Sequence, residues 1–307
     1  MFLLLGAGYL LYKRKLIGDE ATKQLSNIAV SVINPIVIFN SYQTDFNPTL
    51  LHGLLWAGLL AVVTHVVFIA VAAAAIRRRS GYQVERFAMI YSNCAFMGIP
   101  LVNAIYGQEG VFYLTGFITV FNLFVWTHGV ILMNSDQKHS LKQTAVSLLK
   151  TLASPAIVAV ILGLVTFFAG FRLPDVIQTP LDYLGRMNTP LAMLVSGATI
   201  AKAGLLGGIK NKRIYFVQAF KLLIVPVLLS AMFIPLRIFG IAPMIISTVL
   251  IAAAAPTASS TIMFAYKYGK DEEYASHHFA MSTIASIVTM PIVLLAAELM
   301  TSLMVLD

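Results

Sequence analysis

Two stretches of this chain carry chemistry that a plain apolar helix does not need. The first reads Asn93-Cys94-Ala95-Phe96-Met97-Gly98-Ile99-Pro100; the second reads Ala255-Pro256-Thr257-Ala258-Ser259-Ser260-Thr261. Each interrupts a hydrophobic run. Pro100 and Pro256 cannot donate a backbone hydrogen bond, and Gly98 permits a bend. A helix broken inside hydrocarbon frees N–H and C=O groups that cost several kcal/mol each, so a break there must lie against protein or a polar cavity. A half-helix that restarts after such a break presents free N–H groups and partial positive charge. Those suit an anion, and a carboxylate in particular. Interrupted helices at matched places in two halves of a chain mark a midplane substrate site.

The candidate substrate-binding residues on these stretches are Asn93, Cys94, Phe96, Met97, Gly98, Pro100, Pro256, Thr257, Ser259 and Ser260. Asn93 leads them, because its amide can donate to a carboxylate while accepting from backbone. Bonding between helices is the alternative role for such an amide. Lys221 lies inside an apolar run. It can neutralise a bound anion or extend its ammonium to the interface. Asn34 begins an Asn-Pro pair and stays among the candidates, although Asn34, Asn103, Asn122 and Ser196 all suit hydrogen bonds between helices. Cys94 suits a small packing residue better than a reactive thiol. His65 and His128 are possible proton carriers, with neutral packing as the plainer role, and Glu298 is placed at an outer interface.

The absences narrow the chemistry. The remaining Asp and Glu residues fall in loops or at segment ends, which argues against a cation antiporter. No phosphate-binding glycine loop and no HExxH zinc motif occur. No cofactor, metal or catalytic residue is expected.

Elements that hold these residues must cross a membrane. Of 307 residues, 59% are hydrophobic and 11% charged, with mean hydropathy +0.84. Soluble domains carry roughly a quarter charged residues. The spacing predicts ten apolar segments at 1–12, 26–43, 51–76, 86–106, 111–133, 150–170, 180–201, 213–236, 243–267 and 275–304. The net charge of +8 does not suggest nucleic acid, because the cations sit in short loops between segments. Seventeen Lys and Arg fall on one side: four at 13–23, four at 77–86, three at 138–150, four at 202–213 and two at 267–270. Arg172 and Arg237 alone fall clearly on the other. That bias places the rich side in the cytoplasm and both termini outside. Multi-pass residence in the cell membrane follows.

Five segments per half, 1–140 and 141–307, make the second half enter the membrane inverted. Tyr106-Gly107-Gln108-Glu109 answers Tyr268-Gly269-Lys270-Asp271, and Asn34-Pro35 answers Thr189-Pro190. The loop at 134–149 divides the halves and holds no separate domain. The first segment reaches only about 18 Å, so either it crosses partway or the chain begins inside a longer helix. The second is the expectation. Lys13-Arg14-Lys15 follow the first apolar run rather than precede it, the reverse of a cleavable signal. The single cysteine excludes a disulfide framework.

The stretch from Ser92 to Leu101 resembles the auxin efflux carrier family in its short bacterial form. So do Pro190-Leu191-Ala192-Met193-Leu194 with Gly197-Ala198-Thr199-Ile200-Ala201, and Ala255 to Ala258 through Tyr268-Gly269. The resemblance covers essentially the whole chain. It implies an all-α polytopic fold of ten transmembrane helices, arranged as two inverted five-helix repeats. A scaffold domain and a transport domain are each drawn from both repeats, with broken helices 4 and 9 crossing. It further implies a carrier of small carboxylates such as malate or malonate, a crossover at Asn93, Pro100 and Pro256, and a homodimer through the scaffold. The family favours a small residue such as threonine where Cys94 stands, and the long cytoplasmic loop of its plant members is missing. Two other readings compete: a sodium-coupled symporter of the same architecture, and a non-transporting membrane sensor that retains the fold.

Overall fold

The computed structural model describes residues 2–135 and 153–303, without the side chains at 205–206 and 297–303. Most of the expected cytoplasmic loop, with Lys138, Lys142 and Lys150, and the side chain of Glu298 lie outside the described residues. Among those residues every regular element is a helix. In chain order, α1 is Phe2–Lys13, α2 Asp19–Ile28, α3 Asn34–Ser41, α4 Pro48–Ala75 and α5 Tyr82–Ile90. Next come α6 at Ile99–Phe124, α7 at Val130–Met133, α8 at Pro155–Ala169, α9 at Asp175–Arg186 and α10 at Asn188–Ala203. Then follow α11 at Leu205–Lys210, α12 at Lys212–Ala219, α13 at Val225–Phe233, α14 at Pro243–Ala254, α15 at Ser260–Lys267 and α16 at Glu272–Leu303. Four helical runs are long and apolar enough to cross a membrane: Pro48–Ala75, Cys94–Met133, Lys212–Phe239 and Glu272–Ala296. The helices α1, α8 and α14 are apolar but shorter.

Prolines shape these runs in a consistent way. Among the described residues, three of the four wide π turns, Ala29–Ile33, Cys94–Gly98 and Phe220–Ile224, end two residues before a proline: Pro35, Pro100 and Pro226; the fourth, Val125–Gly129, precedes none. A proline removes one donor and crowds the carbonyl four residues back. A π turn absorbs both defects without ending the helix. Pro190 acts differently. It cannot bond the carbonyl of Arg186, where α9 stops, and Met187 alone links α9 to α10. The expected segment at 180–201 is therefore divided. No residue of α9 is buried, whereas α10 is buried along most of its length.

The run Cys94–Met133 is a hairpin rather than a rod. Gly107 sits at φ +64° and ψ −155°. A Cβ built on Gly110 would lie 2.9 Å from Val102 Cγ1, although residues eight apart on one straight helix are separated by about 12 Å. Tyr91 bonds the carbonyl of Phe124, and Tyr82 meets Ser135. These pairs draw together as the chain approaches Gly107. The reversal separates the segments expected at 86–106 and 111–133. Gly269, its counterpart by sequence, also has positive φ, +62°.

The main core joins α4, α5, α6 and α14, with Phe68, Phe87, Phe112 and Phe117 fully buried. A second cluster joins α1, α10 and α16 to the π turn at Cys94–Gly98, through Leu5, Leu191, Met193 and Phe279. The α1–α10 contact depends on glycine. A Cβ on Gly197 would overlap the carbonyl of Leu5, and one on Gly8 would overlap Leu194. Small residues give this close approach between helices in a membrane.

Candidate functional site: a crossing of two unwound strands

The first break lies earlier than Pro100. Residues 91–93 are non-helical, and the chain restarts at Cys94. Pro100 lies just past the π turn, inside the restarted helix, and the widened turn accommodates its missing N–H. It shapes the π turn instead of making the break. The second break runs through 255–259 and follows Pro256 as expected.

The two breaks pair with each other. Ser92 stands opposite Thr257 in an antiparallel bridge. Asn93 N–H donates to Pro256 O at 2.7 Å, and Ala258 N–H donates to Tyr91 O at 2.9 Å. The freed backbone groups thus satisfy one another, which hydrocarbon demands. In a regular ladder, residues 93 and 256 would exchange two bonds. Pro256 has no N–H to return, so Asn93 O turns forward and accepts from Met97 at 3.0 Å and Gly98 at 3.2 Å. The proline of one half in this way starts the half-helix of the other.

Side chains close the remaining ends. The last carbonyls of α5 and α14 have no partner along their own helices. Thr257 Oγ1 donates to Ala88 O at 3.0 Å. Lys221 Nζ donates to Ala253 O at 3.1 Å and lies 4.5 Å from the centroid of the Phe68 ring. Thr257 N–H donates to Ser282 Oγ at 3.0 Å, and Gln218 Nε2 reaches Thr257 Oγ1 at 3.4 Å and His278 Nδ1 at 3.0 Å. All of these side chains are buried, and those of Thr257, Lys221, His278 and Ser282 are wholly so.

Other polar atoms near the restarts have no partner. Asn93 is 5% exposed and its Nδ2 is unbonded. Ser260 Oγ and Thr261 Oγ1, in the first turn of α15, are likewise buried without partners. Cys94 and Gly98 are buried beside Asn93, and Phe96 and Met97 point into the cluster shared with α10 and α16. Ser259 precedes α15 and is half-buried. Asn34 is buried with Oδ1 unbonded, and no hydrogen bond joins it to the crossing among the described residues. The crossing therefore gathers Asn93, Cys94, Pro256, Thr257, Ser259 and Ser260, with Lys221 behind it at the end of α14.

Several residues take other places. His65 bonds the carbonyl of Ala61 at 2.7 Å and stacks on Phe124, a packing role. His128 Nδ1 lies 2.8 Å from the Tyr91 hydroxyl, so it touches the crossing strand through that tyrosine. Asn122 bonds back to Ile118. Ser196 is buried without a bond. Asn103 lines a cavity of about 440 Å³ with Val37, Asn40, Gln43, Arg172 and Arg186. Glu85 stands at a segment end as expected, in the first turn of α5, but it is buried there. It is 2% exposed and takes the Arg213 guanidinium on Oε2 and the Tyr274 hydroxyl, 2.8 Å away, on Oε1. Gln218, Ser282 and Tyr274 went unread in the sequence, and His278 was read only as part of a His277-His278 pair without zinc-site spacing. A signal was present: Tyr274, His278, Ser282 and Ser286 recur every four residues, along one face of α16.

Helices that break, cross and restart inside an apolar, all-helical protein define a membrane transporter. The model for the family described as "Membrane transport protein" matches residues 1–294, and the chain belongs to that family, the auxin efflux carrier family. A protein of Methanothermobacter thermautotrophicus named "Uncharacterized transporter" is 25% identical over 297 residues, covering 93% of this chain and 92% of its own. A protein of Rhizobium meliloti named "Putative malonate transporter" is 28% identical over 241 residues, covering 74% of this chain and 72% of its own.

Proposed function

We propose that this protein is a secondary carrier of small carboxylates, with a dicarboxylate of malonate size as its substrate class. One observation carries the reading: the Asn93 amide nitrogen is buried, unbonded and placed where a half-helix restarts. A carboxylate there gains a side-chain donor and the partial positive charge of the restarting half-helix. A helix N-terminus stabilises negative charge by about 0.3–1 kcal/mol, more where partly buried. The relative named for malonate supports that size of acid. The unbonded hydroxyls of Ser260 and Thr261 stand ready for a second carboxylate.

The same proposal includes the wider architecture. Ten segments form two inverted repeats, 1–140 and 141–307, and substrate is exposed alternately to either side as the crossing helices move. The cation-rich loops face the cytoplasm, and both termini face outside in the cell membrane. The polar cavity holding Asn103, Arg172 and Arg186 then opens outward above the crossing.

Competition binding on purified protein tests the substrate class. Malonate, malate, citrate, lactate and indole-3-acetate are compared with their amides. Saturable binding of one or more acids, with none for the matching amides, is the expected result. Equal binding of acid and amide, or none by any acid, sinks the reading.

A further inference from the structure

Lys221 presents a second kind of observation. Its side chain is wholly buried. Its ammonium donates to the carbonyl of Ala253, in the last turn of α14. The Phe68 ring covers it on another side. None of the ion pairs among the described residues includes it. The titratable groups that feel its charge are His65 and the Cys94 thiol, and neither is a carboxylate. Its π turn packs against both first half-helices, α5 and α14.

A buried ammonium without a carboxylate is costly in a protein and more so in a membrane. Three features offset that cost here. The C-terminal end of a half-helix carries partial negative charge. An aromatic face attracts a cation. The Ala253 carbonyl has lost its helical partner, because the chain leaves the helix at Ala255. In transporters with broken helices, half-helix C-terminal ends and unwound carbonyls are the groups that coordinate a coupling cation, while N-terminal ends face the anion. In this chain a side chain already occupies that carbonyl.

We propose that Lys221 is a resident cation. It holds the place a coupling sodium ion would take, so the carrier moves its anion without sodium, and the fixed charge balances bound carboxylate across the crossing. The inference rests on the carrier reading above, yet part of its test needs no substrate. The midpoint of thermal unfolding is measured for wild type and Lys221→Ala in sodium, potassium, methylammonium, choline and tetramethylammonium chloride at equal ionic strength. Wild type is expected to unfold at one temperature in all five. Lys221→Ala is expected to be stabilised by sodium or methylammonium and not by the two bulky cations. Sodium-specific stabilisation of wild type overturns the proposal, as does indifference of Lys221→Ala to every cation.

Lys221→Gln supplies the second arm if the alanine variant does not fold. The amide still donates to Ala253 but carries no charge. Its affinity for the bound acid is expected to fall about tenfold, the change that roughly 1.4 kcal/mol produces, in sodium and choline alike. Unchanged affinity in Lys221→Gln contradicts the inference. Absence of acid binding by every form contradicts the carrier reading alone, because the cation arms remain decisive for Lys221.

Discussion

At the second break, one residue holds almost everything. Thr257 gives its N–H to Ser282 and its hydroxyl to Ala88, receives Gln218, and bridges Ser92. At the first break, the corresponding polar residue holds little. Asn93 spends its backbone N–H on Pro256 and its carbonyl on the restarting helix, and its side-chain nitrogen bonds nothing. The two halves thus build similar breaks for different ends. One is braced by side chains and keeps the crossing in shape. The other leaves a buried donor free. A buried polar group without a partner costs about 1–3 kcal/mol, so a ligand that bonds this donor recovers that cost. The capping chemistry differs in the same sense. A hydroxyl closes α5, and an ammonium closes α14.

Substitutions can break this contrast in a graded way. The largest loss is expected at Glu85, which anchors the first half-helix to α12 and α16. Glu85→Ala leaves the Arg213 guanidinium and the Tyr274 hydroxyl without their acceptor. The cost is about 3 kcal/mol, at the low end for buried pairs because Arg213 is 32% exposed. Thermal unfolding in detergent reads it as a lower midpoint. Thr257→Val should cost about 2 kcal/mol, because Ala88 O is then left unbonded inside the protein, and Thr257→Ser should recover most of the loss. If Val and Ser behave alike, the hydroxyl does not brace the crossing.

Ser282→Ala removes one acceptor, that of the Thr257 N–H. It should lower stability by about 1 kcal/mol and make that amide exchange faster with deuterium than its neighbours in the bridge. The smallest effect on stability is expected at Asn93. Asn93→Ala removes a buried group with no protein partner for its nitrogen, so relief of the roughly 1–3 kcal/mol such a group costs offsets the packing lost, and the midpoint should stay level or rise. A large destabilisation by Asn93→Ala would erase the distinction between the two breaks.

Much of the helical frame was legible in the sequence because apolar length and charge alternation are strong signals in a membrane protein. Both breaks were also visible, since proline and clustered hydroxyls have no reason to interrupt an apolar run. The location of the first break was not. Pro100 is a plain marker, but a π turn absorbed it, and the chain unwound at Tyr91–Asn93, where the partner strand supplied bonds. That depends on a pairing across more than 160 residues, which no local pattern carries. The burial of Glu85 is hidden from the sequence for a similar reason. A carboxylate at a segment end reads as solvated until Arg213 and Tyr274, far along the chain, are seen to cover it. The division at Met187 needed only Pro190 and the carbonyl of Arg186, and it could have been read from the sequence.

The central claim is that Asn93 contributes to carrying a carboxylate and not to holding the fold. Flux of radiolabelled malonate in proteoliposomes, compared between wild type and Asn93→Ala after both are shown to be folded in the bilayer, tests it most directly. The account predicts saturable uptake by wild type and uptake at least tenfold slower at low substrate in the variant, the effect of roughly 1.4 kcal/mol. Equal uptake by the two proteins would contradict it.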